Sequence, residues 1–255
     1  MSLIPDPRAS HRNGLAEDAD ISTSSDDYAR RFSGEVGRWF LDTQTRLTLN
    51  LLGELPAGAS ILDVGGGHAQ TAPPLIEAGY AVTVVGSDPT CAARLEPWTA
   101  RGRCRFEVAD LRALPYPDQS FDAVVCFRLL PHSVSWKGLI GELCRVARRS
   151  VVLDYPSVRS ANILSARLFD LKRGIELNTR EFMLFTPSQI NTAFADCGFI
   201  VRKERPQFLL PMVLHRWASQ AALSKVAEMP GRLLGLTRWL GSPIIVRADR
   251  RALST

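Results

Sequence analysis

The sequence predicts an α/β fold, a doubly wound and mostly parallel seven-stranded sheet with helices on both faces. Short apolar segments alternate with segments whose apolar residues recur every three or four positions. Glycine and proline punctuate the connections between them. A glycine-rich turn at residues 65–67 directly follows the first apolar segment. Alternation of this kind builds parallel βαβ units, and ligands bind such sheets where strands end.

The apolar segments predict strands at residues 60–64, 81–85, 103–108, 121–127, 150–154, 199–208 and 242–247. Helices are predicted near residues 73–79, 91–99, 136–147 and 187–197, and over 213–240 with a break at Pro230 and Gly231. Helical periodicity also begins at Asp26 and continues through two runs that end before Pro56.

Residues 1–24 are polar and lack periodicity, so we expect a flexible tail followed by one domain over 25–255. Two segments interrupt the strand–helix alternation. Residues 157–183 contain a helical run near 160–172, and residues 209–240 separate the last two strands. We expect both to form lids on the substrate side, with packing against the sheet as the alternative.

The charge of the chain is unevenly distributed. The net charge is +5 overall, but −4 over residues 1–139 and +9 over residues 140–255. A basic half suits an anionic substrate, a membrane surface or nucleic acid, or is simply a solvated surface. The five cysteines form no CxxC pair, and the start of the chain lacks an apolar signal segment. We therefore predict no metal site and a cytoplasmic protein.

The most informative segment is 61–69, where an apolar strand ends in Asp63 and Val64 and a glycine turn follows. Glycine lets the chain adopt a positive φ and lets a ligand approach the main chain. A dinucleotide-binding turn would need glycine at position 70, where this chain has Gln70. The turn therefore predicts a ligand site, and it argues against a nicotinamide-dependent oxidoreductase.

This segment resembles the first motif of class I S-adenosylmethionine-dependent methyltransferases. Residues 108–122 resemble the acidic loop and fourth strand of that family, and residues 142–146 resemble the helix that follows. Over residues 28–155 the chain looks most like the small-molecule branch that includes the ubiquinone and menaquinone methyltransferases. The resemblance implies S-adenosyl-L-methionine as the cofactor.

The resemblance also implies which residues bind the cofactor: Tyr28, Asp63, Gly65, Gly67, Asp88, Asp110, Leu111, Phe127 and Arg128. The two glycines would face its methionine part, and Asp63 would orient the turn. Asp110 would accept from the adenine amino group, with the Leu111 amide beside the ring. Phe127 and Arg128 would border the methyl donor, and Tyr28 would close over it.

Each assignment has a structural alternative. The family's ribose-binding acid at the end of the second strand is replaced by Gly86, and Asp88 either takes its place or only caps the next helix. Asp63 or Asp110 could cap a turn. Phe127 could belong to the core, and Arg128 could pair with a surface carboxylate.

Methyl transfer from a sulfonium needs positioning, and a base where the acceptor is protonated. His132, after the fourth strand, is the predicted base, and Tyr155, after the fifth, a second candidate. The alternatives are a capping histidine and a pocket wall. The predicted function is O-, C- or N-methylation of a small, lipophilic or anionic acceptor, with peripheral membrane contact as a further option. A catalytically silent binding protein is the main alternative, and nucleic acid is disfavoured because residues 127–131 lack the motif of nucleic-acid amino-methylating enzymes.

Overall fold

A computed structural model describes residues 18–160, 182–218 and 220–252. Its strands are β1 (Ser60–Val64), β2 (Ala81–Gly86), β3 (Cys104–Val108), β4 (Phe121–Cys126), β5 (Ala147–Tyr155), β6 (Phe199–Phe208) and β7 (Ser242–Arg250). Its helices are α1 (Ala19–Thr23), α2 (Asp26–Arg30), α3 (Gly34–Leu52), α4 (Ala72–Glu77), α5 (Glu96–Thr99), α6 (Trp136–Val146), α7 (Pro187–Asp196), α8 (Met212–Ala218), α9 (Ala221–Leu233) and α10 (Leu236–Leu240). Short 3-10 segments lie at Gly66–His68, Pro89–Leu95 and Leu130–His132.

The seven strands form one sheet in the order β3-β2-β1-β4-β5-β7-β6. Strands β1 to β5 are parallel, and β7 runs antiparallel to both β5 and β6. The predicted doubly wound, mostly parallel sheet is therefore confirmed. Chain order reverses across the β1–β4 pair, so the loops after β1 and β4 leave the same edge in opposite directions. A crevice at this switch point is where such sheets bind ligands.

Both faces of the sheet are buried. Because successive side chains alternate along a strand, Leu62 and Val64 pack with α6 and α7 while Ile61 packs with α3 and α4. The central strands are consequently mostly apolar, as expected for parallel strands covered on both faces. Asp63 is the exception in β1, since it is a fully buried carboxyl at the carboxyl end of that strand.

The tail prediction was wrong for part of residues 1–24. Residues 1–17 lie outside the described residues, but Ala19–Thr23 form α1, in which Ala19, Asp20 and Thr23 are buried. The segment is polar because its main attachment is a carboxylate. Asp20 accepts hydrogen bonds from the Ser87 amide and hydroxyl at 2.6 and 2.5 Å.

The predicted break at Pro230 and Gly231 was also wrong. Helix α9 continues through Pro230 and ends at Leu233, and Gly235 takes a φ of +72° just after it. A glycine in the left-handed region is a common helix terminator, and here it turns the chain into α10. The predicted helix near residues 160–172 falls almost wholly outside the described residues, as does most of the predicted lid at 157–183.

No helix in the described part of the chain combines the length and apolar character needed to cross a membrane.

Candidate active site

The turn after β1 places an unsatisfied carboxyl group beneath the main chain. Gly65 has a φ of +74° and donates its N–H to the Val85 carbonyl at 2.8 Å. The Asp63 carboxyl lies directly under Gly66, where a Cβ would come within 2.2 Å of it. Neither Asp63 oxygen accepts a hydrogen bond from a described residue, and burial raises the pKa of this carboxyl to about 7. A buried acceptor of this kind favours a ligand that brings donors.

His68 belongs to the same turn and is a site residue that was not predicted from the sequence. Its ring is buried, and Nδ1 accepts the Gln70 amide at 3.1 Å. Burial, together with the nearby Arg128 guanidinium, lowers the pKa of His68 to about 3, so the imidazole is neutral. Its Nε2 has no hydrogen-bond partner among the described residues. The only sequence feature that could have indicated His68 as a site residue is its position within the glycine-rich segment 61–69.

Helix α1 covers this turn. A Cβ on Gly65 would lie 3.5 Å from the Asp20 Cβ, and one on Gly67 would lie 2.4 Å from the Ser24 Oγ. Ala19 joins the core cluster that contains Val64 and Leu111. The surface expected to meet the cofactor's methionine part is therefore in contact with the chain's own N-terminal helix.

The end of β2 is bound by Asp20 and not by Asp88, the acid predicted there. The carboxylate of Asp88 accepts the Thr90 amide and hydroxyl at 2.8 and 2.6 Å, so Asp88 caps the following 3-10 segment. Gly86 is tightly enclosed, because a Cβ there would lie 2.9 Å from the Cys91 Cβ. The acid that reaches the main chain after β2 is Asp20, bound to Ser87. The capping alternative for Asp88 is thus what the structure shows, and a ribose contact by Asp88 remains only a prediction.

The turn after β4 brings a second predicted group to the same edge. Arg128 has a φ of +61°, and its amide donates to the Asp154 carboxylate on β5 at 2.7 Å. Its guanidinium donates to the Gln44 side chain at 2.7 Å and lies 4.2 Å from the centre of the Phe32 ring. The Tyr28 ring is 6.0 Å from the same guanidinium. The structure therefore brings Tyr28 and Arg128 together and does not support the surface ion pair for Arg128.

Arg128 and its neighbours are electrostatically coupled. Burial lowers the pKa of the Arg128 guanidinium and raises the pKa of the Asp154 carboxyl, which Arg128 partly counteracts. Burial also raises the pKa of Tyr28, so its phenol stays protonated at neutral pH. Gln44 and Asp154 are further site residues that the sequence did not single out, because each depends on a neighbour far away along the chain.

The residues predicted to hold adenine are arranged as a capped turn. One Asp110 oxygen accepts the Arg112 amide at 2.9 Å, and the carboxylate also pairs with the Arg112 guanidinium. These bonds lower the pKa of Asp110. Leu111 is fully buried, and Phe127 is buried in the core cluster that includes Leu51. The Phe127 side chain is therefore core, which leaves only its main chain to border a ligand.

The two candidate catalytic residues lie at the ends of neighbouring strands. His132 is partly exposed in the 3-10 segment after β4, with its ring centre 5.5 Å from that of Phe182. Tyr155 ends β5 and is fully buried, and its hydroxyl has no hydrogen-bond partner in the described residues. Burial, and then Glu204, raises the pKa of Tyr155, so Tyr155 is poorly suited to act as a base. A donor role for Tyr155 stays a prediction, as does the base role of His132.

Comparison with known proteins agrees with this geometry. Residues 62–153 match a family model described as a methyltransferase domain. The chain is 38% identical over 103 residues to a demethylmenaquinone methyltransferase of Thermus thermophilus, which is 38% of this chain and 47% of that protein. It is 34% identical over 114 residues to a 27-O-demethylrifamycin SV methyltransferase of Amycolatopsis mediterranei, which is 42% of each chain.

The chain is therefore similar in sequence to a methyltransferase domain over residues 62–153. Its fold matches that of the magnesium protoporphyrin IX methyltransferase of Synechocystis, solved with bound S-adenosylhomocysteine, at a TM-score of 0.62. That alignment covers 91% of this chain and 98% of the other, at 18% identity, so it establishes the fold alone. The chain spans less than half the length of these two curated relatives.

Some residues of this chain suit the binding of S-adenosylmethionine, and others are covered by α1. The orphaned Asp63 oxygens and the close-approach glycines form a cradle for a ligand with hydrogen-bond donors. The same cradle is in contact with α1, so a methionine part placed against Gly65 and Gly67 would meet Asp20 and Ser24. Entry of the cofactor by this route would displace α1.

We expect Gly67→Ala to impair the glycine turn. The added Cβ would lie 2.6 Å from the Cys91 carbonyl oxygen, and this main-chain atom cannot rotate away. Overpacking of this kind typically costs about 1–3 kcal/mol in the free energy of unfolding. Chemical denaturation and cofactor titration should show lower stability and at least about tenfold weaker binding.

Gly141→Ala in α6 is the matched control. A Cβ there meets no atom within 4 Å, so alanine should leave binding unchanged and raise stability by about 0.5–1 kcal/mol. Equal cofactor affinity in both variants would show that the turn at Gly67 does not contact the ligand.

Proposed function

We propose that this protein transfers a methyl group from S-adenosylmethionine to a small, lipophilic or anionic acceptor. The observation that carries the proposal is the buried, unsatisfied carboxyl of Asp63 beneath the glycine turn at the switch point of the sheet. The named relatives are methyltransferases acting on menaquinone and rifamycin precursors, which favours transfer over a nicotinamide reaction or a silent binding role.

The cofactor supplies an activated methyl group on a sulfonium, so the protein's work is to bind, orient and exclude water. Asp63 would accept hydrogen bonds from the methionine part, and Gly65 and Gly67 would let the main chain approach it. Asp110 and the Leu111 amide would hold the adenine. Tyr28 and Arg128 would close the side that faces the acceptor.

Proton handling would fall to the residues after β4 and β5. His132 is partly exposed beside Phe182, so an imidazole nitrogen there can take a proton from an acceptor hydroxyl, amine or carbon acid. The raised pKa of Tyr155 keeps its phenol protonated, so its Oη can donate a hydrogen bond to an acceptor oxygen. This division of roles is the part of the proposal that depends most on the identity of the acceptor.

A lipophilic acceptor is supported by the composition of residues 209–240, which combine leucine, methionine and tryptophan with arginine and lysine. A lipophilic acceptor would also bring the protein into peripheral contact with a membrane, because apolar substrates reside in the bilayer. A cytoplasmic location is also part of the proposal, and the free thiols of all five cysteines support it.

The proposal is tested by calorimetric titration with S-adenosylmethionine, S-adenosylhomocysteine and a reduced nicotinamide dinucleotide. We expect heat from the first two ligands and none from the third. Asp110→Ala should weaken binding about tenfold or more, because a hydrogen bond to a charged group contributes about 1.5–3 kcal/mol.

Asp118→Ala is the control for Asp110→Ala, because it also removes an exposed carboxylate paired with an arginine, Arg145. It should bind both ligands like the unaltered chain. No heat from either sulfur ligand would overturn the proposed function, and unchanged affinity in Asp110→Ala alone would reassign the adenine site.

A further inference from the structure

The helices between β6 and β7 expose an unusually apolar surface. The described residues include sixteen large apolar side chains that are strongly exposed, and eleven of them fall within residues 213–240. These eleven, which we call the apolar face, are Val213, Leu214, Trp217, Leu223, Val226, Met229, Leu233, Leu234, Leu236, Trp239 and Leu240. Trp217, Leu233 and Trp239 are 89%, 80% and 71% exposed. Clustered apolar exposure of this kind marks an interaction site.

Helix α9 has its polar side turned inward. Its buried residues are Ser224, Glu228 and Gly231, which recur at helical spacing. On the opposite side of the helix, Leu223, Val226 and Leu233 form an exposed apolar stripe. A helix of a globular protein normally buries the apolar stripe and exposes the polar one. The reversal means that the partner of the apolar stripe lies outside the described fold.

The reversal is held in place by Glu228. This fully buried carboxylate accepts the amides of Leu209 and Leu210 at 2.9 and 2.8 Å and pairs with the His215 Nε2 at 2.9 Å. Burial raises the pKa of Glu228, but these hydrogen bonds outweigh it and leave the pKa lowered. The His215 ring packs edge-on against Trp39, at 5.2 Å between centres. Helices α8 and α9 are thus joined to each other, to the residues after β6 and to α3.

The charge of the segment selects the kind of partner. Residues 209–240 contain four Lys and Arg residues; Arg216 lies over the Phe32 ring, and Lys225, Arg232 and Arg238 are exposed on α9 and α10. The single acid of the segment is Glu228, which is buried and engaged. The exposed surface is therefore apolar and cationic. Tryptophan, leucine and basic residues without acids are the composition of helices that lie in the interface of an anionic bilayer.

The apolar face is also connected to the candidate active site. Arg216 of α8 lies 5.9 Å from the centre of the Phe32 ring, which the Arg128 guanidinium also contacts. Trp217, the next residue, is the most exposed member of the apolar face. A membrane bound to this face would therefore lie beside the acceptor side of the site.

We propose that the apolar face docks this protein onto the surface of an anionic lipid bilayer. The inference does not require methyl transfer, since it rests on the exposed helices alone. Its occupant is an anionic membrane surface rather than a second copy of the chain, because the exposed cations among these apolar residues are complementary to anionic lipid and would face one another in a dimer.

The test is co-sedimentation of the full chain with vesicles at physiological salt, without cofactor. One set of vesicles is phosphatidylcholine alone, and the other is phosphatidylcholine with phosphatidylglycerol at about three to one. We expect binding to the anionic vesicles at least about tenfold tighter than to the neutral ones. The double variant Leu233→Glu with Trp239→Glu should lose at least about tenfold in affinity for the anionic vesicles.

The charge contribution is tested by Arg232→Glu with Arg238→Glu, which should lose the preference for anionic lipid. Controls are Ile200→Glu, an exposed apolar residue on β6, and Arg149→Glu, an exposed arginine on β5. Both should bind vesicles like the unaltered chain. Absence of vesicle binding, or equal binding by all variants, would overturn the proposal. So would a solution dimer that only the Leu233 and Trp239 variant dissociates, since the face would then bind a second copy.

Discussion

Asp63→Asn should make the protein more stable at pH 8 and bind the cofactor more weakly. Burial raises the pKa of this carboxyl to about 7, against about 4 in an unfolded chain. Between those values the folded state holds a proton that the unfolded state has released. Stability therefore falls as pH rises from about 4 to 7 and levels off above that range.

The size of the expected stability change follows from the difference between the folded and unfolded pKa values of Asp63. A difference of about three in pKa corresponds to on the order of 4 kcal/mol, which is a ceiling because local relaxation reduces it. We expect the asparagine variant to gain about 2–4 kcal/mol in the free energy of unfolding at pH 8 and nothing at pH 4, measured by denaturant titration. Its affinity for S-adenosylhomocysteine should fall about tenfold, because a charged acceptor is lost.

Asp122→Asn gives the opposite pH dependence and serves as the control. Hydrogen bonds from Ser60 and the pairing with Arg148 lower the pKa of Asp122. Its contribution to stability is present above the unfolded pKa and disappears as pH falls through the folded one. The control should therefore be less stable than the parent at pH 8. A loss of stability at pH 8 in both variants would show that Asp63 is satisfied within the folded protein.

The parallel sheet was predictable because apolar segments, glycine turns and helical periodicity all point to the same architecture. The switch-point turn was predictable for the same reason, since Asp63 and Gly65 are only two positions apart in the sequence. Asp20 was not, because it acts on Ser87, which is 67 residues away. A five-residue polar helix has no periodic signal, so α1 could not be distinguished from a disordered tail.

The orientation of α9 could not be predicted from the sequence either. Periodicity shows that a helix has an apolar stripe, but it does not show which stripe faces the core. Here Glu228 meets two main-chain amides and His215, and those bonds draw the polar stripe inward. The assignment of residues 209–240 as a lid remains a prediction, and the exposed apolar face gives it a physical alternative.

Asp20→Ala should increase the affinity for the cofactor. The Asp20 carboxylate holds α1 against the glycine turn through two hydrogen bonds from Ser87, and the Cys91 thiol contributes a weaker third at 3.4 Å. On this binding route the cofactor reaches Gly65 and Gly67 after α1 has left, so its apparent affinity is reduced by the fraction of molecules in which α1 is docked. Removing charged hydrogen bonds worth about 1.5–3 kcal/mol should raise affinity at least about tenfold.

Two measurements distinguish displacement of α1 from the alternative mechanism. In the alternative, Asp20 stays in place and binds the ribose hydroxyls that Gly86 cannot bind, so Asp20→Ala would lower the affinity for the cofactor. Asp27→Ala, which removes only an exposed pair with Arg30, should leave affinity unchanged. Hydrogen exchange gives the second measurement, through the Ser24 amide, which donates to the Asp20 carbonyl at 2.8 Å. Saturating S-adenosylhomocysteine should accelerate exchange there if α1 is displaced and slow it if α1 closes over the ligand.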